Sequence, residues 1–162
     1  MAALIVPNLA SVLKLLGGLL GKPVTAKPAT APLAVAPARA IATYQDAEGH
    51  LLAVCVCDVA CAAYVGAALS LLAPAVAAEA HKKGKIPESI MENFHEVVNV
   101  AASLFNVTGG GHVRLEKILV TPCDVPAPVA SLVAKPKTRL DLDVTVPGYG
   151  TGKMSFVVLE AQ

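Results

Sequence analysis

The sequence predicts an α+β fold: a mainly antiparallel sheet packed against long helices. Three observations carry this reading. Leu140, Leu142, Val144 and Val146 alternate with Arg139, Asp141, Asp143 and Thr145, the period of a strand with one wet face. Ile90, Phe94, Val97, Ala101, Leu104 and Phe105 fall on one side when residues are spaced at about 100°, the period of an amphipathic helix. The strand-like runs are joined by short turns and the helical runs are segregated from them, which argues against alternating βαβ units.

The 162 residues read as one domain, 1–162, long enough to bury a core without disulfides or metal. Segment 1–21 is an N-terminal helix, with Leu9, Val12, Leu13, Leu16 and Leu20 at steps of three and four and Gly21 as its stop. Segment 22–38 is an extended, Pro-rich entry, suited to a sheet edge because proline cannot donate to a ladder. Segment 39–57 is a hairpin turning at Ala47-Glu48-Gly49. Segment 58–106 is helical. Asp58 caps a helix that runs to about Leu72 and ends near Pro74. Ala75 to Lys85 starts helical and breaks at Lys82-Lys83-Gly84, read as a solvated loop. Pro87 and Glu88 open the next helix, which runs to about Asn106. The glycines at 109–111 form a turn and not a phosphate loop, since no Lys-Ser/Thr follows them. Segment 112–162 supplies the C-terminal strands: Val113–Val120, a proline-punctuated connection over Pro122–Pro136, then Arg139–Val146 and Lys153–Leu159. No repeat of 20 to 50 residues is evident.

Composition excludes several classes. Hydrophobic residues make up 55% and charged residues 15%, the opposite of a disordered chain. Thirteen basic residues against twelve acidic ones, with 4% aromatics, offer neither a phosphate-binding surplus nor stacking platforms, so no nucleic acid is expected. A membrane span needs about 20 apolar residues in a row. The best window, Leu51 to Ala80, is interrupted by Asp58 and Pro74, so no membrane is expected either. No basic residue precedes the N-terminal apolar stretch and Lys14 lies inside it, which argues against a secretory leader and for a cytoplasmic protein. Cys55, Cys57, Cys61 and Cys123 lack the matched pairs of a zinc site, and the four histidines are scattered. The cysteines read as reduced, small core hydrophobes, and no metal or cofactor of the chain's own is expected.

The helix opened by Pro87 is the informative element. Glu88, Glu92, Glu96, Asn99, Ser103 and Asn106 form a stripe opposite its apolar side. No lysine or arginine balances the three glutamates at i,i+4 spacing, and the C-terminal half of the stripe is short and uncharged. Such a face presents carboxylates and carboxamides to a partner.

Glu96-Val97-Val98-Asn99 is an E-x-x-N element on a helix that follows a hairpin and a helix and precedes antiparallel strands. In this order of elements, from the N-terminal helix and the Gly21-Lys22-Pro23 entry to the C-terminal strand pairs, the chain resembles the CheX/CheC family of chemotaxis phosphatases over nearly its whole length. With a single E-x-x-N it is most similar to one-site CheX. The resemblance implies a CheC-like architecture and removal of the phosphoryl group from the aspartate of a phosphorylated CheY-type receiver domain. It implies catalytic roles for Glu96 and Asn99: Asn99 orients water and Glu96 pairs with a partner lysine. Glu92 and Ser103 flank the pair as partner contacts. The chain itself would bind no cofactor, because Mg²⁺ is held in the receiver's own acidic pocket. Homodimerisation through the sheet follows from the same resemblance, with the strands at 139–159 as the edges. The family often carries glycine just before the glutamate and just before the asparagine, where this chain has His95 and Val98. A side chain at either place narrows a partner's approach. The alternative is a non-catalytic module of the same fold that docks a receiver domain or a flagellar-switch component.

Overall fold

The computed structural model describes residues 4–105, 113–135 and 138–159. Helix α1 (Leu9–Leu20) leads into strand β1 (Thr25–Pro28), then the hairpin β2 (Arg39–Gln45) and β3 (Leu51–Asp58). Helices α2 (Val59–Leu69), α3 (Pro74–Lys83) and α4 (Glu88–Ala101) follow, α4 tightening into a 3-10 turn at Ala102–Leu104. Strand β4 (Arg114–Val120), helix α5 (Ala127–Val133) and the hairpin β5 (Arg139–Val146) and β6 (Gly150–Val158) complete the chain. The sheet order is β1-β5-β6-β3-β2-β4, antiparallel at every pairing. This is the expected fold class.

The order reads the same from either end when β1, β2 and β3 exchange with β4, β5 and β6. Two halves therefore interleave, each with a helix, an edge strand and a central hairpin. In one half α1 precedes edge strand β1, and in the other α4 precedes edge strand β4. The strands at 139–159, expected as edges, lie inside the sheet: β5 pairs with β1 and β6 pairs with β3. The edges among the described residues are β1 and β4. The Pro-rich entry does supply one of them.

Both sheet faces are covered. Helices α1, α2 and α4 bury Val12, Leu16, Val65, Phe94 and Val97 against one face. Helix α5 lays Val129, Leu132 and Val133 on the other, over Ile41, Val54, Val56 and Val157. A buried aliphatic or phenyl side chain contributes roughly 1.5–3 kcal/mol, so the Ala/Val/Leu surplus is accounted for by core. No helix among the described residues is long and apolar enough to cross a membrane.

Four local expectations need correction. The helix capped by Asp58 ends at Leu69 rather than near Leu72. Lys82 and Lys83 are the last turn of α3, not a loop, where cations meet the negative helix end and Gly84 caps with positive φ. The helix expected to reach Asn106 stops at Ala101, because the Ala102 N–H meets the Asn99 and Val100 carbonyls and the chain winds into the tighter turn. The connection at 122–136 contains α5, whose first turn accommodates Pro128. Asn106 and the glycines at 109–111 lie outside the described residues.

Candidate functional site on helix α4

Helix α4 is placed by its inner face. Ile90, Phe94, Val97, Val98 and Ala101 are buried, and their spacing turns Glu88, Glu92, Glu96, Asn99 and Ser103 outward. The four expected site residues therefore share one exposed face. Glu96 and Asn99 stand one turn apart, as i,i+3 neighbours. Neither makes a side-chain hydrogen bond or ion pair within the described residues, and nor do Glu88 and Glu92. The Ser103 hydroxyl donates to the Val100 carbonyl at 2.9 Å, so its proton is committed and its oxygen faces out as an acceptor. The face is anionic, with three carboxylates and no cation on the helix. A bare phosphate would be repelled there, while a partner's lysine would be attracted.

Three sets of contacts hold this face in position. The Tyr44 hydroxyl donates to the Val98 carbonyl at 2.7 Å, between the two motif residues. Tyr44 is fully buried and packs on Phe105, ring centroids 4.9 Å apart, and Phe105 packs edge-on against Phe156. Burial, followed by the neighbouring Cys55 and Cys57, pushes the Tyr44 phenol well above its ordinary range. Glycine at Gly66 lets α2 approach α4 closely: a Cβ there would lie 2.6 Å from the Ile90 carbonyl oxygen. Beside it the Asn93 amide donates to the Gly66 carbonyl at 2.9 Å and to the Ser70 hydroxyl at 2.6 Å. Helix α2 is itself fixed by Asp58, whose Oδ1 accepts from the Cys61 N–H at 2.8 Å and the Lys153 N–H at 3.0 Å. The expected cap is present, and it also ties α2 to β6.

Sequence reasoning missed Tyr44, Gly66 and Asn93 as positioning residues. Gly66 had a signal, being the one glycine inside an Ala-rich helix. Asn93 had a weaker one, as a polar residue on the flank of the apolar arc. Val98 needs correction. Its side chain is buried, 1% exposed, and points into the core, so it cannot crowd a partner at Asn99. His95 is exposed, as expected for a residue beside the site.

The cysteines divide. Cys55, Cys57 and Cys61 are buried and free, the small hydrophobes expected, whereas Cys123 is exposed. Hydrogen bonds with Cys55 and Cys61, and then burial, push the Cys57 thiol well above its usual range. Among the described residues, Asp46, Glu48 and His50 are the one group of side chains close enough together to share a metal. Asp46 Oδ1 accepts the Glu48 and His50 N–H groups, both at 2.9 Å, and Oδ2 meets His50 Nδ1 at 3.0 Å. That carboxylate closes the β2–β3 turn.

No protein-family model and no curated protein matches the chain. Solved structures do share its fold. FliY of Thermotoga maritima superposes at a TM-score of 0.53 with 13% identity, covering 93% of this chain and 83% of that one. The FliM middle domain of H. pylori superposes at 0.50 with 7% identity, covering 93% and 84%. The CheX–CheY–BeF3–Mg complex of Borrelia burgdorferi superposes at 0.44 with 11% identity, covering 91% and 92%. At such identities the likeness to FliY and FliM is one of fold.

Proposed function

We propose that this chain is a CheX-like phosphatase of a phosphorylated CheY-type receiver domain, acting through Glu96 and Asn99. The observation that supports it most is the exposure of this carboxylate and carboxamide, one turn apart and without side-chain partners among the described residues, on a helix held from beneath. The E-x-x-N motif in a CheX-like element order and a fold shared with FliY and FliM add to it.

Hydrolysis of an acyl phosphate needs positioning and charge stabilisation more than covalent chemistry, since the transition state is loose. Water attacks phosphorus, the bond from phosphorus to the aspartyl oxygen breaks, and the aspartate leaves as carboxylate. Both protons of the water leave on inorganic phosphate, as dihydrogen phosphate. The Asn99 carbonyl oxygen accepts a hydrogen bond from the attacking water, and its NH₂ donates to a phosphoryl oxygen. Being neutral, it adds no repulsion. Glu96 avoids the anion and pairs with a receiver lysine, aligning the domains. Glu92 and Ser103 extend the contact along the same face. Mg²⁺ belongs to the receiver in this scheme. Dephosphorylation of a phosphorylated receiver from the same genome, with and without the purified chain, tests the proposal. Acceleration supports it, and no acceleration with any such receiver contradicts it.

A second reading is favoured by one residue. His95 stands exposed beside Glu96, where the resembled family often has glycine. A side chain there can hold a receiver off the reactive distance and leave a binding module without hydrolysis. Stable binding of the phosphorylated receiver at an unchanged rate of phosphate loss selects this reading.

A further inference from the structure

Edge strand β4 and the first turns of α4 enclose an open groove of about 670 Å³. Ile86, Met91, Ile118 and Val120 supply its apolar lining, Glu88 and Glu92 add carboxylates, and Glu116 also borders it with its carboxylate held by the Thr43 hydroxyl. Lys117 and His95 also reach it. Its mouth lies along a sheet edge, since β4 pairs with β2 on one side and is the last strand of the order. Val120 is 45% exposed on that edge. The register shift between Thr43 and Tyr44 leaves Glu116 as a bulge, and Lys117–Val120 beyond it is a regular run. A bulge protects an edge by disrupting its ladder, and this one leaves the part of β4 beside the groove unprotected.

From these features we infer that the β4 edge is a docking site for an extended, basic–apolar peptide segment of a partner protein, adjoining the Glu96–Asn99 pair and sharing Glu92 with its face. Among the described residues no strand pairs with the outer side of Lys117–Val120, which can receive a seventh strand of about four residues by main-chain hydrogen bonding. Alternate side chains of that strand point to opposite faces. One set enters the groove, where apolar groups meet Met91 and Ile118 and basic groups meet the carboxylates. Charge selects the occupant: Glu88 and Glu92 have no ion pair within the described residues, whereas the Glu116 carboxylate accepts from the Thr43 hydroxyl at 3.0 Å. A second copy of this chain, paired β4 to β4, would bring its own Glu88 and Glu92 towards these, which disfavours it.

The test uses fluorescein-labelled hexapeptides alternating arginine with valine, or glutamate with valine, and fluorescence anisotropy with the whole chain. No receiver domain is needed, so the outcome is independent of phosphatase activity. The arginine peptide should bind at least tenfold more tightly than the glutamate peptide. Glu88→Lys combined with Glu92→Lys should weaken it at least tenfold with an unchanged circular dichroism spectrum. Methylating alternate backbone nitrogens on the edge-facing side should do the same, and bound peptide should slow hydrogen exchange at Lys117–Val120. Equal affinity for both peptides, or no effect of the charge reversals, overturns the inference. So does a dimer in solution that Val120→Asp converts to monomer, because the edge would then belong to a second copy.

Discussion

The Tyr44 hydroxyl and the Val98 carbonyl meet at 2.7 Å in the core, 54 residues apart in sequence and directly beneath the exposed Asn99. Strand β2 thereby fixes the depth and rotation of the last turn of α4. Tyr44→Phe keeps the ring packing on Phe105 and removes the donor. Losing a buried hydrogen bond costs about 1–3 kcal/mol when a partner is left unsatisfied. Urea denaturation should show a loss of about that size, and hydrogen exchange in α4 should quicken more than in β5.

Stability should also fall at alkaline pH. The Tyr44 phenol and Cys57 thiol have folded pKa values raised above their ordinary values of 10.0 and 9.0. Above those ordinary values the unfolded chain releases protons that the folded chain retains. The stabilisation is therefore present in full below the ordinary thiol value of 9.0 and declines as pH rises from there towards the folded pKa values. Urea midpoints at neutral pH, pH 9 and pH 10.5 check this, and Tyr44→Phe should flatten the upper part of the decline.

Close approach of α2 and α4 predicts a contrast between two glycines. Gly66→Ala forces a methyl group to 2.6 Å from the Ile90 carbonyl oxygen, so the helices must separate at a cost of about 1–3 kcal/mol. Gly18→Ala, with nothing within 4 Å of the new methyl, should stabilise α1 by about 0.5–1 kcal/mol. Thermal melts of the two variants should move in opposite directions.

Thiol labelling should count the buried cysteines. Of the four, Cys55, Cys57 and Cys61 are buried and Cys123 is exposed. A thiol reagent at neutral pH should modify one group per chain before unfolding and four after it, with Cys123→Ser removing the fast one.

Much of this arrangement is legible in the sequence. A period of two located β5 and a period of 3.6 located α4, because burial of one face imposes both periods, while the β2–β3 hairpin was marked by its turn at Ala47-Glu48-Gly49. Asp58 was recognisable as a cap because a carboxylate stood at the start of an apolar helix. Helix α5 was hidden by its length of seven residues and by flanking prolines, which suit its first turn as well as a loop. Lys82 and Lys83 misled because a charged pair looks alike in a loop and in an exposed last turn. The interleaved strand order depends on long-range pairing such as Thr25 with Thr145, which local sequence does not encode. At the site, exposure of Glu92, Glu96, Asn99 and Ser103 followed from the period alone. The burial of Val98 was missed because it sits at the margin of the apolar arc, and only Tyr44 beneath it shows which way that margin turns.

The most direct test of the account is the rate of phosphate loss from a phosphorylated receiver in the presence of Asn99→Ala. Asn99 is exposed and without side-chain partners in the described residues, so the variant should fold within about 0.5 kcal/mol of the parent chain. Removing the carboxamide should abolish the acceleration given by the parent chain while receiver binding through Glu96 persists. An Asn99→Ala variant that dephosphorylates the receiver as fast as the parent would contradict the role assigned to this residue.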